Sequence, residues 1–457
     1  MANISIDFNN ITGKIKPMHA VGQPPFRTDK STRTYDFSPV EILRDANIPY
    51  SRLHDVGGPF GGNKFVDIPN IFRDFDADEN DPANYDFAFT DALIKGIKEH
   101  GVEPYFRLGV TIENQCGIKA YRIHPPKDYS KWARICEHII RHYNEGWADG
   151  FHYNIKYWEI WNEPENKETP ELNQMWTGTA EQYYELYDVT SKHLKKCFGD
   201  KIKVGGYAVT GFYGMYADPE KYGINVEKRT ENRYNCPREE YRMNFFFGFM
   251  DYIKEHNSPI DFLSWHVYST IDIAEPMADF LDKVLNDYGL GHIETHLNEW
   301  NNSHNRLKNR DTSYASAQTA AMMCGMQNKK TNMLMYYDAR YVYIGAYAGF
   351  YNLQTYEPGN VYYTFKAFGE LYALGNQTKL ECDTKGLYAV AAASDSCKAV
   401  LISNTTGCDR TIKTNLSGNF KAYLIDIDHL MTEEEISASE FILKENQVVL
   451  FKSEANI

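Results

Sequence analysis

Lys156-Tyr-Trp-Glu-Ile-Trp-Asn-Glu-Pro-Glu165 is a β-prone run that stops abruptly. Pro164 has no N–H to give to a ladder, so the strand ends at Asn162-Glu163. An acidic side chain is thereby delivered to the C-terminal rim of a strand, where an α/β barrel keeps its chemistry. Thr295-His-Leu-Asn-Glu-Trp-Asn301 repeats the pattern. There a β-like run delivers Glu299, with Asn298 before it and Trp300 after it.

Around these two runs, short apolar segments alternate with longer helical patterns, which argues for βα units on a parallel sheet. Eight strands are predicted: Ile15–Val21, Ile48–His54, Val102–Gly109, Lys156–Asn162, Lys201–Tyr207, Ile260–Tyr268, Thr295–Trp300 and Asn332–Asp338. Helices are predicted over Phe89–Glu99, Ser130–Tyr143, Ala180–Phe198, Phe245–Glu255, Ala274–Tyr288 and Tyr314–Asn328. Gly101 and Gly199 supply C-terminal stop signals. The expectation is a (β/α)8 TIM barrel over residues 13–374. Beyond it the pattern changes to short alternating runs: Gly386–Ala392, Lys398–Ser403, Arg410–Leu416, Phe420–Asp426 and Gln447–Phe451. With no long helix between them, they predict an antiparallel β-sandwich over 375–457. Ile4–Phe8 also alternates, so residues 1–12 are expected to lend that sandwich a strand.

Composition narrows the partners. The formal net charge of −14 repels polyanions, so neither nucleic acid nor a membrane surface is expected as a partner. Tyrosine, at 34 residues, outnumbers Phe and Trp together, and its apolar ring with a hydrogen-bonding tip suits a polyhydroxylated ligand. Eight dispersed cysteines contain no C-x-x-C pair, so reduced thiols and no metal centre are expected. Met1–Asn10 lacks a basic-then-apolar leader, and no apolar run nears the ~20 residues that span a bilayer. A cytoplasmic location follows as an expectation. Assembly as a homo-oligomer is left open.

Counted along the strands, Glu163 ends the fourth and Glu299 the seventh, so they face each other across the barrel mouth. Two carboxyls ~5–5.5 Å apart serve a retaining glycosidase, one as acid/base and one as nucleophile. Glu163 is expected to be the acid/base, its pKa raised by the apolar surfaces of Trp158 and Trp161. Glu299 is the expected nucleophile, and Asn162 is placed to bond a sugar hydroxyl. Neither metal nor organic cofactor is required.

The two motifs resemble the acid/base and nucleophile strands of clan A glycoside hydrolases, and the wider chain resembles glycoside hydrolase family 39, which holds β-xylosidases and α-L-iduronidases. The likeness runs through Lys16-Pro-Met-His19, Arg52-Leu-His54, Tyr85-Asp-Phe87 and Pro104-Tyr-Phe-Arg-Leu-Gly109. It continues through Trp161-Asn-Glu-Pro164, Asp261-Phe-Leu-Ser-Trp-His-Val-Tyr268 and Asn298-Glu-Trp300. It implies a barrel with an accessory β-sandwich and an exo-acting β-D-xylosidase-like enzyme on a carbohydrate substrate. Two departures leave the sugar open. Asn298 stands where the xylosidases usually carry Thr, and Leu334-Met-Tyr-Tyr-Asp338-Ala-Arg340 replaces their Tyr-Trp-Thr-Phe-Ser-Asp. Arabinofuranosidase, galactosidase, glucosidase, iduronidase and endo-glycanase activities are alternatives, and a non-catalytic carbohydrate-binding protein is a rival of another class.

His266 and Tyr268 lie two apart on one strand and share a face, as do Arg52 and His54. The resemblance implies that Tyr268 bonds the nucleophile, that His266 contacts sugar or the carboxylates, and that His54 binds sugar. Arg52, deeper, is placed to pair with Glu299. Asp338 closes the eighth strand as a hydroxyl ligand, and His19 on the first is a further candidate. Trp161 and Trp300 flank the carboxylates as substrate-binding surfaces. Gly57-Gly-Pro-Phe-Gly-Gly62 lacks the Lys-Ser/Thr of a phosphate loop and reads as a flexible loop shaping the cleft. Arg340 and the stretch Tyr341–Tyr351 are placed to line a neighbouring subsite.

Overall fold

A computed structural model describes residues 1–29, 34–56, 66–112, 123–302, 309–341 and 347–453. Eight parallel strands close into a barrel: β1 (Ala20–Gly22), β2 (Tyr50–Arg52), β3 (Glu103–Leu108), β4 (Tyr157–Ile160), β5 (Lys203–Val209), β6 (Phe262–Val267), β7 (Glu294–Trp300) and β8 (Met333–Tyr336). Each strand pairs with the next, and β8 closes the ring on β1 through Met335 opposite Ala20. Crossover helices follow the strands, among them Tyr129–Glu145, Ala180–Phe198, Pro237–His256, Ile271–Asp287, Ser313–Gln327 and Asn360–Leu374.

Local chemistry explains the helix boundaries. Asp128 caps Tyr129–Glu145 by accepting from the Lys131 N–H, and Gly146, at φ 77°, turns the chain out of it. Thr179 and Gln182 form a reciprocal capping box at the start of Ala180–Phe198. Pro237–His256 begins eight residues before the predicted Phe245. Its first turn holds Pro237, which needs no N–H there, and Glu239 and Glu240, which suit the positive end of the helix dipole. Apolar periodicity registers only from the Phe run onward.

The first strand is later than predicted, at Ala20 rather than Ile15. Pro17 interrupts any ladder, and Lys16 Nζ instead caps carbonyls of Met326, Lys329 and Thr331 at 2.6–3.3 Å. His19 consequently precedes the strand, at the end of the barrel away from the glutamates. Its Nε2 meets the Asn47 carbonyl at 2.9 Å and its ring packs on Phe368 and Tyr372. Burial pushes its pKa down to about 4, and it is a core histidine rather than a site residue.

Arg27–Asp29 and Thr34–Asp36 pair as a separate short hairpin, and nine further strands form a second large sheet, antiparallel except where Ala2–Ile4 runs parallel to Ile412–Thr414. The strand Ala2–Lys14 joins it by pairing with Asn376–Cys382. Val400 and Ile402 point into this sheet's own core, while Ala399 and Leu401 join the barrel's apolar cluster. Ser403, in step with them, donates to the Ala317 carbonyl at 2.7 Å. Helix Ser313–Gln327 therefore lies between barrel and sheet, and every residue from Ala315 to Gln327 is buried. An Ala- and Met-rich helix that is apolar all round requires such a double cover. The seven cysteines among the described residues are unpaired. Among the described residues no helix is long and apolar enough to cross a membrane.

Candidate active site

The barrel interior is layered. Its floor is apolar: Ala20, Tyr105, Tyr157, Phe262, Met333 and Met335 form one buried cluster. Above it lies a polar layer centred on Glu159, which is fully buried. Arg52 Nε donates to Glu159 Oε2 at 2.8 Å, and Ser264 Oγ and Asn298 Nδ2 donate to Oε1 at 2.6 and 2.5 Å. Burying an ion pair is tolerable only when its remaining valences are met in this way.

The two glutamates stand on this layer, and each reaches it through a break in strand alternation. Trp161 and Glu163 have φ of 71° and 43°, a left-handed backbone that costs roughly 1–3 kcal/mol per residue when the side chain is not glycine. The kink turns Asn162 and Glu163 inward together and Trp161 outward. It is held by the Glu163 N–H on the Tyr207 carbonyl at 3.2 Å and by Trp161 Nε1 on the Met175 carbonyl at 2.9 Å. On β7 the pairing register with β6 shifts between Leu297 and Glu299. That irregularity likewise lets Asn298 and Glu299 both face inward, where an unbroken strand would point one of them out.

Arg52 links the layers. Its Nη1 donates to Glu299 Oε2 at 3.0 Å and its Nη2 to Asn162 Oδ1 at 2.6 Å. The Tyr268 hydroxyl donates to the other Glu299 oxygen. Burial, and then Glu299, pushes the Tyr268 pKa far up, so it remains a donor. His266 Nδ1 meets Glu163 Oε1 at 2.7 Å, and its Nε2 lies 3.8 Å from Glu299 Oε2. Asn166 Nδ2 donates to Glu163 Oε2 at 2.7 Å. One carboxylate oxygen of Glu163, one of Glu299 and a ring nitrogen of His266 all lie within 4.8 Å of one another. These are ligand types for a cation, but the Arg52 guanidinium already holds that ground.

Glu163 differs from its sequence-based expectation in one respect. Burial does push its carboxyl up, but the His266 hydrogen bond and charge, with Arg242 and Asn166, outweigh burial and leave the pKa below its ordinary value. The apolar neighbours invoked for the opposite shift face elsewhere. Trp158 packs on Phe106, and Trp161 on Trp176 and Trp132. His266 shows the complement: burial works against its charge, yet Glu299 and Glu163 raise its pKa.

Other expected ligands are placed unevenly. His54 is buried, with Nε2 3.4 Å from Asp55 Oδ2. Burial first, then Arg107, Arg52 and His266, drives its pKa down, which keeps the ring neutral, with one nitrogen able to donate and the other to accept. Asp338 is buried just past β8, with its carboxylate on the Arg340 N–H at 3.0 Å and guanidinium at 2.5 Å. The fully buried Trp300 packs edge-on against Tyr336 with ring centres 5.0 Å apart. Neither indole, of Trp161 or of Trp300, stands beside the carboxylates, because each lies on the outward side of its strand. From the stretch Tyr341–Tyr351, the Tyr347 ring lies tilted against Tyr268 with ring centres 5.0 Å apart, whereas Tyr341 packs on Tyr351. Gly57 to Gly62, and 342–346 within that stretch, lie outside the described residues.

Sequence reading missed Glu159, Asn166 and Glu165. The first had a signal, a lone charge in the middle of a β-run. Glu165 Oε1 accepts from the Thr210 N–H at 2.6 Å and hydroxyl at 2.7 Å, while Oε2 is buried without a hydrogen-bond partner among the described residues. Burial raises its pKa from 4.5 to about 7, against the pull of Thr210. A raised folded-state value contributes stability below pH 4.5 that is lost as pH climbs through about 7. Glu165→Gln keeps the acceptor for Thr210 without the charge. Its stability relative to wild type should therefore improve by roughly 2–3 kcal/mol between about pH 5 and pH 8. Urea melts at the two pH values check this, and an unchanged difference would refute it.

Comparison with known proteins identifies the family and the fold. The sequence model for glycosyl hydrolases family 39 matches residues 61–344, well over half of the chain. A β-xylosidase of Caldicellulosiruptor saccharolyticus is 30% identical over 139 residues, which cover 28% of this chain and 27% of that protein. A β-xylosidase of Geobacillus stearothermophilus is 21% identical over 293 residues, covering 58% of this chain and 50% of its own. This chain thus matches no more than half the length of either. Two solved structures share the fold from end to end. A glucosidase from Croceicoccus marinus superposes with a TM-score of 0.73 at 20% identity, covering 99% of this chain and 98% of its own. A monomeric β-xylosidase from Caulobacter crescentus gives 0.67 at 14% identity over all of both chains. With the matched region spanning β3 to β8 and both glutamates, the chain belongs to family 39 of the glycosyl hydrolases.

Proposed function

We propose that this protein is a retaining glycoside hydrolase that removes β-D-xylosyl or closely related units from the ends of cytoplasmic oligosaccharides or glycosides. The observation that carries the reading is the approach of the Glu163 and Glu299 carboxylates to within 4.8 Å. Retaining pairs stand ~5–5.5 Å apart, whereas inverting pairs need ~6.5–9.5 Å to admit a water. Glu299, held by Arg52 and Tyr268, attacks the anomeric carbon as Glu163 protonates the departing oxygen. The resulting glycosyl ester is then hydrolysed by a water that gives its proton to Glu163. The Asn162 amide nitrogen and the neutral His54 ring supply hydroxyl contacts. The β-xylosidase relatives favour xylose, and the glucosidase structure makes glucose the first competitor.

The 2.7 Å hydrogen bond between His266 and Glu163 is the route by which the acid is supplied with its proton. The pair shares one proton and loses it as a unit on the alkaline side. In His266→Gln that proton can reside on Glu163 alone. The alkaline limb of kcat/KM should then move to lower pH, because the second resting place for the proton has gone. A limb that stays in place would remove His266 from the relay.

Release of 4-nitrophenol from β-xyloside, β-glucoside, β-galactoside, α-arabinosides and α-iduronide tests the activity. A dominant β-xyloside rate supports the reading. Silence across the panel, and on xylo-oligosaccharides, from folded protein would overturn it.

A further inference from the structure

On the outside of the barrel, helices Tyr129–Glu145 and Ala180–Phe198 bring together three metal-ligating side chains with no part in the site above. His193 and Cys197 are four residues apart on one helix, hence on one face a turn apart. Glu137 reaches them from the other helix, its Oε2 2.6 Å from His193 Nε2. Cys197 Sγ lies 3.7 Å from the same nitrogen. A ligand atom from each of the three falls within 4.8 Å of the other two.

We infer that Glu137, His193 and Cys197 form a binding site for Zn2+ or a cation of like softness, which pins the two helices together. Tetrahedral zinc, with bonds of ~2.0–2.1 Å to nitrogen and ~2.3 Å to sulfur, sets these two atoms ~3.5 Å apart. The sulfur and nitrogen already stand near that spacing. Only the carboxylate must withdraw, by less than ~1 Å, on a flexible side chain. Its other oxygen is fixed by Arg141 Nε at 2.8 Å, an outer contact that orients a ligand and offsets its charge. The His193 side chain is 27% exposed, which leaves an entry path and room for water as the fourth ligand. On binding, Cys197 releases its proton to solvent, the proton on His193 Nε2 is exchanged for one on Nδ1 as the ring changes tautomer, and the His193–Glu137 hydrogen bond gives way to two bonds to the metal.

The helix leaves the catalytic mouth at Ala180 and reaches Cys197 roughly 25 Å further along its axis. This is the end of the barrel where conserving stability rather than chemistry is the rule. The cysteine spacings alone gave no hint of a metal site, because the third ligand comes from a different helix, 56 residues earlier in the chain than His193.

Cobalt(II) titration of the reduced chain, with zinc as competitor, tests the site. The expected result is a sulfur-to-cobalt charge-transfer band in the near ultraviolet that zinc abolishes. It should be absent from Cys197→Ser and His193→Gln and retained in Cys408→Ser. The Glu163–His266–Glu299 cluster has no sulfur and cannot produce that band. On the unmutated chain, zinc should slow alkylation of Cys197 at least ~10-fold and leave that of exposed Cys408 unchanged, since a metal-held thiolate is a poor nucleophile. A band that survives Cys197→Ser, or Cys197 alkylation that saturating zinc does not slow, overturns the proposal.

Discussion

Glu299→Ala is expected to lower turnover of its best aryl glycoside by about 10^4-fold or more, since it removes the carboxylate that Arg52 and Tyr268 hold as the nucleophile. The fold should survive the change. Arg52, which loses one partner, keeps its 2.8 Å bond to Glu159 and its 2.6 Å bond to Asn162, so no buried cation is stranded. Alanine leaves a small cavity on the nucleophile's side of the sugar. Azide entering there should restore release of the nitrophenol, with Glu163 still assisting departure, and the product should be a glycosyl azide of inverted configuration. Turnover close to wild type in the folded variant would remove Glu299 from the nucleophile's role. Rescue with a retained product would assign it to the opposite face.

Glu163→Ala should divide substrates by leaving group. Proton donation contributes on the order of 10^2–10^4-fold where the departing oxygen is a poor leaving group, as in a disaccharide. An activated nitrophenolate needs little such help, so formation of the glycosyl-enzyme from the aryl substrate should be nearly preserved. Hydrolysis of that intermediate, deprived of its base, should become limiting, and KM should fall as the ester accumulates. Azide should then speed turnover and give a product of retained configuration. The opposite stereochemical outcomes for the two variants make the pair a single test of which glutamate does what. Equal losses on aryl substrate and disaccharide would rule Glu163 out as the proton donor.

Neither variant explains why two such residues can be found by reading a sequence, and the answer lies in how each is delivered. A β-run broken by Pro164 marks a strand end without reference to the rest of the chain, because a missing N–H is a local property. Apolar alternation marks where strands and helices fall for the same reason. The predicted strands accordingly overlap the observed ones, with the largest displacement at Ile15–Val21, where Lys16 found carbonyls just past the end of helix Ser313–Gln327 that no local rule reveals. The helix Pro237–His256 is read short at its start because its first two turns are charged, and Pro237 with the acidic first turn marks that start where no apolar stripe does.

The sequence by itself determined the strand-and-helix order, the barrel, the second sheet and the two glutamates at strand ends. Each follows from periodicity and from residues that stop or cap an element. Only the tertiary structure decided which neighbours act on those glutamates. Inward Asn162 beside inward Glu163, and Asn298 beside Glu299, contradict the two-residue period of a strand and require a kink and a register shift set by adjoining strands. The buried hub at Glu159 and the sign of the Glu163 shift depend on side chains 103 to 139 residues away in the chain. Electrostatic influence falls with distance in space, and spatial neighbourhood across a closed barrel is not written in any local stretch of residues.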